Sequence, residues 1–238
     1  MNTASLLQVQ GLSAWYGAAH ILFDITLEVR PGEVVALMGR NGAGKSTTLK
    51  AVMGMVEQRS GTVHFAGNDI SRWAPHAIAR AGLGYVPEDR RIFTDLTVLE
   101  NLEVGRQAAR PGVAPWTPER LFRLFPNLGE MPDRPGGRMS GGEQQMLTVA
   151  RTLMGNPHLV LLDEPSEGVA PVIVEGMVSM IHELKAAGVA ILLSEQNLHF
   201  AELVSDRAYV LEKGQIRYQG TMQELAANDE VRRAYLSV

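Results

Sequence analysis

Apolar residues occur in short unbroken or alternating runs along much of the chain, a pattern that predicts β-strands. Val34 to Met38 is apolar throughout, as expected of a strand that a sheet buries on both faces. Turn residues such as Arg30-Pro31-Gly32 and Ala66-Gly67-Asn68 bound the neighbouring runs. The other predicted strands are Leu6–Val9, Ile21–Val29, Thr62–Phe65, Leu159–Leu162, Val189–Leu193, Ala208–Leu211 and Ile216–Gln219.

Helical spacing of apolar residues fills most of the sequence between these runs. It predicts helices over Val172–Ala187 and Gln223–Tyr235, and one that begins at Lys45 and stops at Gly54. From about residue 89 to residue 157, helical segments alternate with prolines, which predicts an inserted, mainly helical subdomain. The prolines are Pro111, Pro115, Pro118, Pro126, Pro132 and Pro135. Residues 1–88 and 158–238 then form one α/β core with a largely parallel sheet, because strands alternate with helices there.

A glycine-rich loop lies between the buried strand and the first predicted helix. It fits G-x-x-x-x-G-K-[ST] and reads Gly39-Arg40-Asn41-Gly42-Ala43-Gly44-Lys45-Ser46, with Thr47 next. Backbone N–H groups of such a loop surround phosphates, and the helix that follows directs its positive end at them. Lys45 is predicted to reach the β- and γ-phosphates and Ser46 to bind Mg²⁺. The alternative is an ordinary glycine-rich turn before a helix.

Two acids follow the apolar run that ends at Leu162. Asp163 and Glu164 fall at the carboxyl end of a buried strand, where ligands bind in open α/β sheets. Asp163 suits Mg²⁺ through water, and Glu164 suits the water that attacks a γ-phosphate. The alternative is a strand that simply ends in solvated acids.

A third element opens a helix before Met146. Ser140 and Glu143 have capping-box spacing, so one interpretation is a well-capped helix alone. However, Gly141 and Gly142 weaken a first helical turn, and capping does not require them. Bare glycines would let a phosphate approach the helix N-terminus closely.

These three elements, in this order, resemble the ATP-binding cassette (ABC) family over nearly the whole chain. The resemblance implies one nucleotide-binding domain with a P-loop NTPase core, an N-terminal antiparallel β part and an inserted helical subdomain. It implies ATP and Mg²⁺ as ligands and a second ATPase subunit as partner. In the family, two subunits meet head to tail, so the Ser140–Glu143 helix of each covers the ATP on the other's phosphate loop.

Further positions match the family residue by residue. Tyr16 corresponds to the aromatic that stacks on adenine, although it also reads as an aromatic at a strand end. Glu88 occupies the position of a glutamine that senses Mg²⁺ and the membrane subunit. Gln196 stands where most members carry histidine, and it cannot carry positive charge. His199 is a possible substitute or an exposed helical histidine, so hydrolysis is assigned mainly to Glu164.

Three segments narrow the resemblance to the shorter ATPase subunit of branched-chain amino acid importers. They are residues 85–93, 163–171 and 195–197. This resemblance implies membrane permeases, a periplasmic binding protein and a peripheral location on the cytoplasmic face of the inner membrane. Urea, amide and other amino-acid importers share much of the pattern. A non-transport ABC ATPase and a purely regulatory nucleotide-binding module are the rival classes.

Composition excludes several other kinds of protein. The 238 residues are 45% hydrophobic, enough for a core, and the absence of cysteine excludes disulfides, thiolate zinc sites and cysteine nucleophiles. The net charge of -4 argues against a nucleic-acid partner. Residues 1–10 show no secretory signal, and no apolar run approaches the ~20 residues needed to span a bilayer. The scattered histidines lack metal-ligand spacing.

Overall fold

The computed structural model describes residues 5–110 and 114–236, which form two β-sheets surrounded by helices. The first sheet contains β1 (Leu7–Tyr16), β2 (Ala19–Val29), β4 (Gln58–Phe65) and β5 (Asn68–Asp69). Its strands are all antiparallel, in the order β2-β1-β4-β5. Pro111, one of the predicted breaks, and the first four residues, part of the segment in which the sequence predicts no secretory signal, lie outside the described residues.

The second sheet is the parallel one. Its strands are β3 (Val34–Met38), β6 (Leu83–Val86), β7 (Leu159–Asp163), β8 (Ala190–Glu195), β9 (Arg207–Glu212) and β10 (Gln215–Thr221). They run in the order β10-β9-β3-β8-β7-β6, and only β10 pairs antiparallel. The predicted fold class is confirmed.

Alternating side chains of the central strands enter different cores. On β7, Leu159 and Leu161 pack toward the antiparallel sheet, while Val160 and Leu162 pack toward the helices of the opposite face. All five β7 residues are buried, as are all five of β3. This two-sided burial explains the unbroken apolar runs in the sequence. It also places the two acids after Leu162 at the carboxyl end of the strand.

Six helices accompany the two sheets. They are α1 (Lys45–Val52), α2 (Pro75–Ala81), α7 (Pro171–Ala186), α8 (Leu198–Val204), α9 (Met222–Ala227) and α10 (Asp229–Tyr235). Between β6 and β7 lie α3 (Val98–Gly105), α4 (Pro118–Leu124), α5 (Pro126–Gly129) and α6 (Gly141–Leu153), with a 3-10 turn at Gly136–Arg138. Among the residues described, no helix combines the length and apolar character needed to cross a membrane.

Asn156 and Arg110 tie the segment after α3 to the core. The Asn156 side chain accepts a hydrogen bond from the Trp116 amide at 2.8 Å and donates to the Gln107 carbonyl at 3.1 Å. Arg110 donates to the carbonyls of Asn156 and Arg80, both at 2.7 Å. Backbone groups of a proline-interrupted segment are thereby satisfied without a regular element.

The structure differs from the sequence expectation in its C-terminal helix. The single helix predicted over Gln223–Tyr235 is wrong, because α9 ends before Asn228 and α10 begins after it. The Asn228 side chain accepts from the Val231 amide at 3.1 Å and so caps a new helix. The sequence did not predict helix α2 or strand β6.

Candidate functional site

The glycine-rich loop connects β3 to α1, and its backbone conformation requires glycine. Gly42 and Gly44 have φ of 79° and 109°, in the left-handed region where other residues are strained. A Cβ on Gly44 would lie 2.8 Å from a methyl carbon of Leu22, so packing excludes it as well. Gly44 caps α1 without a side-chain hydrogen bond, and the first turn of α1 contains no acid. The N-terminus of α1 thus suits an anion.

Lys45 turns back over the loop instead of extending into solvent. Its ammonium donates to the Gly39 carbonyl at 2.8 Å and to the Arg40 carbonyl at 3.2 Å. It also pairs with Glu164 Oε1 at 2.9 Å, and both side chains are almost fully buried. These contacts place the cation of the loop directly beside the acid at the end of β7.

Asp163 gathers three hydroxyl groups. Ser46 donates to its Oδ1 at 2.8 Å, Ser194 donates to the same oxygen at 2.7 Å, and Tyr85 donates to Oδ2 at 3.0 Å. The carboxyl is 1% exposed. The structure therefore joins the end of β7 to α1, to β6 and to β8 through one acid.

Glu164 has a strained backbone, with φ of 45°. Its amide donates to both the carbonyl and the hydroxyl of Ser194, each at 3.1 Å. Burial raises the pKa of the Glu164 carboxyl, but hydrogen bonds with Glu167 and Lys45 outweigh burial and leave that pKa below its usual value. Glu164 is thus held as a carboxylate next to the phosphate loop.

Glu167 is the proton-binding partner of this acid. Hydrogen bonding to Glu164, then burial and the charge of Glu164, raise the pKa of Glu167 to about 7. Glu167 belongs to the segment Ser166–Pro171, which corresponds to the subunit-contact loop in the resemblance to the ABC family.

The segment after β8 is organised by Glu195. This carboxyl accepts hydrogen bonds from the amides of Ser166, Gln196 and Asn197 at 3.1, 3.1 and 3.2 Å. The Gln196 side chain is exposed, and so is that of His199 on α8. Glu195 therefore holds the backbone around Gln196 to the segment that follows Glu164.

Glu88 and Tyr16 lie at the margins of the site. Glu88 is exposed and borders a cavity of about 120 Å³ that Asp163 also lines. Tyr16 ends β1 with half of its surface exposed. Its ring is therefore accessible to a ligand.

The other predicted group lies at the start of α6. Ser140 Oγ accepts from the Glu143 amide at 3.4 Å, and the Glu143 carboxylate accepts from the Ser140 amide at 2.7 Å. A Cβ on Gly141 would meet the Arg90 guanidinium, and one on Gly142 would lie 3.0 Å from Ile173. Packing against Ile173 therefore gives a second reason for Gly142, whereas the flexible Arg90 side chain could move away from a Cβ at Gly141.

The sequence profile described as "ABC transporter" matches residues 22–167, more than half of the chain. The chain belongs to the ABC transporter family. It is 42% identical to the high-affinity branched-chain amino acid transport ATP-binding protein BraG of Pseudomonas aeruginosa, over 97% of this chain and 99% of that one. It is 35% identical to the lipopolysaccharide export system ATP-binding protein LptB of Haemophilus influenzae, over 98% and 97%.

Solved structures agree with this membership. A nucleotide-free ATP-binding cassette from an ABC transporter aligns with a TM-score of 0.81 and 28% identity, covering 96% of this chain and 97% of that one. The resemblance inferred from the motifs is thus confirmed. The chain is an ATP-binding ABC ATPase, an enzyme whose ATP hydrolysis is coupled to transport. ATPases of this family work as dimers with membrane permease subunits.

Within this cassette the predicted site residues fall into two groups. Lys45, Ser46, Asp163 and Glu164 form one connected cluster. In the described parts of the chain, no hydrogen bond links the Ser140–Glu143 turn to that cluster.

The oxygen groups around Asp163 fit Mg²⁺. A magnesium ion typically takes one or two protein oxygens and completes its octahedron with water and substrate phosphates. Asp163 and Ser46 supply a carboxylate and a hydroxyl of this kind. Within residues 5–110 and 114–236 there is no cluster of three or more His, Cys, Asp or Glu suited to a metal. One carboxylate and one hydroxyl match the small number of protein ligands in a site that Mg²⁺ shares with a phosphate ligand.

Sequence reasoning assigned no role to Tyr85, to Ser194 or to the carboxyl of Glu195. Ser194 lies opposite Asp163 in the parallel register of β7 and β8. A hydroxyl at the end of an otherwise apolar strand was the available signal for Ser194. Tyr85 gave no such signal, because β6 was not itself predicted.

Proposed function

We propose that this chain is the ATPase subunit of an importer for branched-chain amino acids. The buried cluster of Lys45, Ser46, Asp163 and Glu164 carries the ATPase part of the proposal. The 42% identity to BraG over nearly the full length of both proteins supports the cargo.

Residues 39–47 bind the triphosphate in this proposal. The loop amides and the α1 N-terminus surround the phosphates, and Lys45 exchanges its contacts with Glu164 and the loop carbonyls for β- and γ-phosphate oxygens. Tyr16 stacks on the adenine. Ser46 would hold a bound Mg²⁺ ion directly and Asp163 would hold it through water, with Glu88 near it, and the ion would neutralise phosphate charge.

Glu164 is the residue that orients and polarises the attacking water. Phosphoryl transfer depends mainly on positioning and charge stabilisation, so a fixed carboxylate is sufficient. Its strained backbone and its two contacts with Ser194 hold it at the end of β7. Gln196 donates a hydrogen bond to the γ-phosphate through its side-chain amide but carries no charge.

The Ser140–Glu143 turn completes the site of a second ATPase subunit. Membership of a family whose ATPases work as dimers supports a head-to-tail dimer in which each subunit closes the other's ATP site. The amides of Gly141 and Gly142 then face the phosphates of the partner. The partner is either a second copy or a related ATPase.

Membrane permeases are the second kind of partner. The cassette docks on them at the cytoplasmic face of the inner membrane, through the surface from Arg90 to Leu102 that follows Glu88. A periplasmic binding protein delivers the amino acid. Identity to LptB, an export ATPase, makes lipid export the competing transport function.

The test is ATP hydrolysis by the cassette reconstituted with its permeases in lipid vesicles. We expect a binding protein loaded with leucine or valine to stimulate hydrolysis, whereas the same binding protein without amino acid does not. Stimulation by a binding protein loaded with urea or an amide would instead indicate one of the related importers. Hydrolysis that does not change with any permease or binding protein would contradict the transport function but not the ATP site.

A further inference from the structure

Tyr85 is the one member of the Asp163 cluster that the proposed ATPase mechanism does not use. Its hydroxyl donates to Asp163 Oδ2 at 3.0 Å, while Ser46 and Ser194 both donate to Oδ1. Each carboxyl oxygen of this buried acid therefore has a donor. If Ser46 turns toward a metal ion, Ser194 and Tyr85 remain, one on each oxygen.

The two remaining donors come from the strands that flank β7. In the parallel register, Tyr85 of β6 pairs with Leu161, and Ser194 of β8 pairs with Asp163 itself. The carboxyl group is thus held from both sides by rigid neighbouring strands. Such an arrangement fixes the plane of the carboxyl group, which an isolated terminal carboxylate cannot do for itself.

Core packing alone does not account for a tyrosine here. Tyr85 borders a cavity of about 600 Å³ whose walls include Met53, Phe93 and Val104, so its side chain is not enclosed on all sides. Tyr85 also lines the smaller cavity shared by Asp163 and Glu88. A phenylalanine would fill the same volume but would leave Oδ2 without this donor.

We propose that Tyr85 is a positioning residue that orients the Asp163 carboxylate for Mg²⁺. This inference rests on the proposed ATPase function and adds a residue to it. Hydrogen-bonding partners of a metal ligand typically contribute 10- to 100-fold in metal affinity.

The experiment removes one oxygen atom, by Tyr85→Phe. Binding of a non-hydrolysable ATP analogue is measured by calorimetry in EDTA and across a Mg²⁺ titration. We expect the half-saturating Mg²⁺ concentration to rise by about tenfold or more. Affinity in EDTA should not change, because the phosphate loop is intact.

Tyr209→Phe is the matched control. Tyr209 is also buried, and its hydroxyl accepts from the Glu28 amide at 3.2 Å and from Arg207 at 3.3 Å, away from Asp163. This variant should keep the Mg²⁺ titration of the wild type, and thermal unfolding of both variants reports any loss of packing.

Two results would overturn the role of Tyr85. One is a Tyr85→Phe titration that coincides with the wild type. The other is an equal loss of affinity in EDTA, which would indicate a structural effect. In both cases Mg²⁺-dependent binding by the wild type would leave the proposed function standing. A wild-type protein that binds no nucleotide with Mg²⁺ would instead contradict the ATPase proposal itself.

Discussion

At the scale of single residues, the ion pair between Lys45 and Glu164 positions the Lys45 ammonium and contributes little to the stability of the fold. Buried ion pairs often add little net stability, because desolvation offsets the attraction. The Lys45 ammonium has three donors, and the two loop carbonyls and Glu164 occupy them at 2.8 to 3.2 Å. Lys45 is thus held at the place where the proposed phosphates bind.

Lys45→Ala should abolish most of the MgATP affinity. Hydrogen bonds to charged groups contribute about 1.5–3 kcal/mol, which corresponds to a loss of roughly 10- to 100-fold. Calorimetric titration with MgATP measures this loss. Lys185→Ala is the control, since Lys185 pairs with the partly exposed Asp206 on the surface. Unchanged affinity in Lys45→Ala would contradict the assignment of the phosphate site.

At the scale of elements, α6 begins with the same kind of N-terminal cap as two other helices. Ser140 and Glu143 form a capping box on α6, as Thr97 and Glu100 do on α3, and a third box starts α9 at Thr221. The same local stabilisation therefore appears at three places in the fold. Only the box on α6 is followed by two glycines in the first turn.

Ser140→Ala should lower the free energy of unfolding and also weaken ATP-dependent association. Loss of an N-cap costs about 1 kcal/mol, and the proposed contact with the partner's ATP is lost with it. Denaturant unfolding and sedimentation with ATP measure the two effects. Thr221→Ala on α9 should cost similar stability and leave association unchanged. Equal ATP-dependent association in the two variants would show that the α6 turn acts only as a helix cap.

Elements with strong periodicity were predictable from sequence, and short or irregular ones were not. The unbroken apolar runs of β3 and β7 follow from burial on both faces, so pattern alone identified them. Strand β6 has four residues, one of them Gly84, and offers neither alternation nor a long apolar run. Its place beside β7 is decided by tertiary packing.

Two boundaries had local signals that the periodicity obscured. Asn228 precedes Asp229 and Glu230, a typical helix start, but the apolar spacing continues across it. Pro75 stands in the first turn of α2, a favoured position for proline. The motifs named Lys45, Ser46, Asp163 and Glu164. The hydroxyl of Tyr85 lies beside Asp163 because β6 pairs with β7 in the sheet, and the order of strands in the sheet could not be predicted from the sequence.

At the scale of the whole molecule, the main site residues form two groups that no hydrogen bond joins within the described residues of one subunit. The first contains the phosphate loop and the acids at the end of β7, and the second is the start of α6. Val172, beside the Ser166–Pro171 segment, is 70% exposed at the start of α7. Large exposed apolar side chains near a proposed contact are consistent with burial against a partner subunit.

Glu164→Gln is the change that should reveal this dimer. The amide keeps the volume of Glu164 and can still accept from Lys45, so MgATP binds, but the uncharged side chain polarises water poorly. Loss of a general base typically slows catalysis about 10²- to 10⁴-fold. ATP should then persist between two subunits, and the fraction of dimer should rise with MgATP concentration in sedimentation measurements.

Glu167→Gln provides the matched comparison for that variant. Glu167 hydrogen-bonds Glu164 but lies further from the buried end of β7, and its side chain is exposed. We therefore expect Glu167→Gln to retain much more hydrolysis than Glu164→Gln and to form little persistent dimer. Wild-type turnover in Glu164→Gln would reject Glu164 as the residue that handles the water. Slow turnover without dimers would keep that role and contradict the shared ATP site, because each subunit would then close its own.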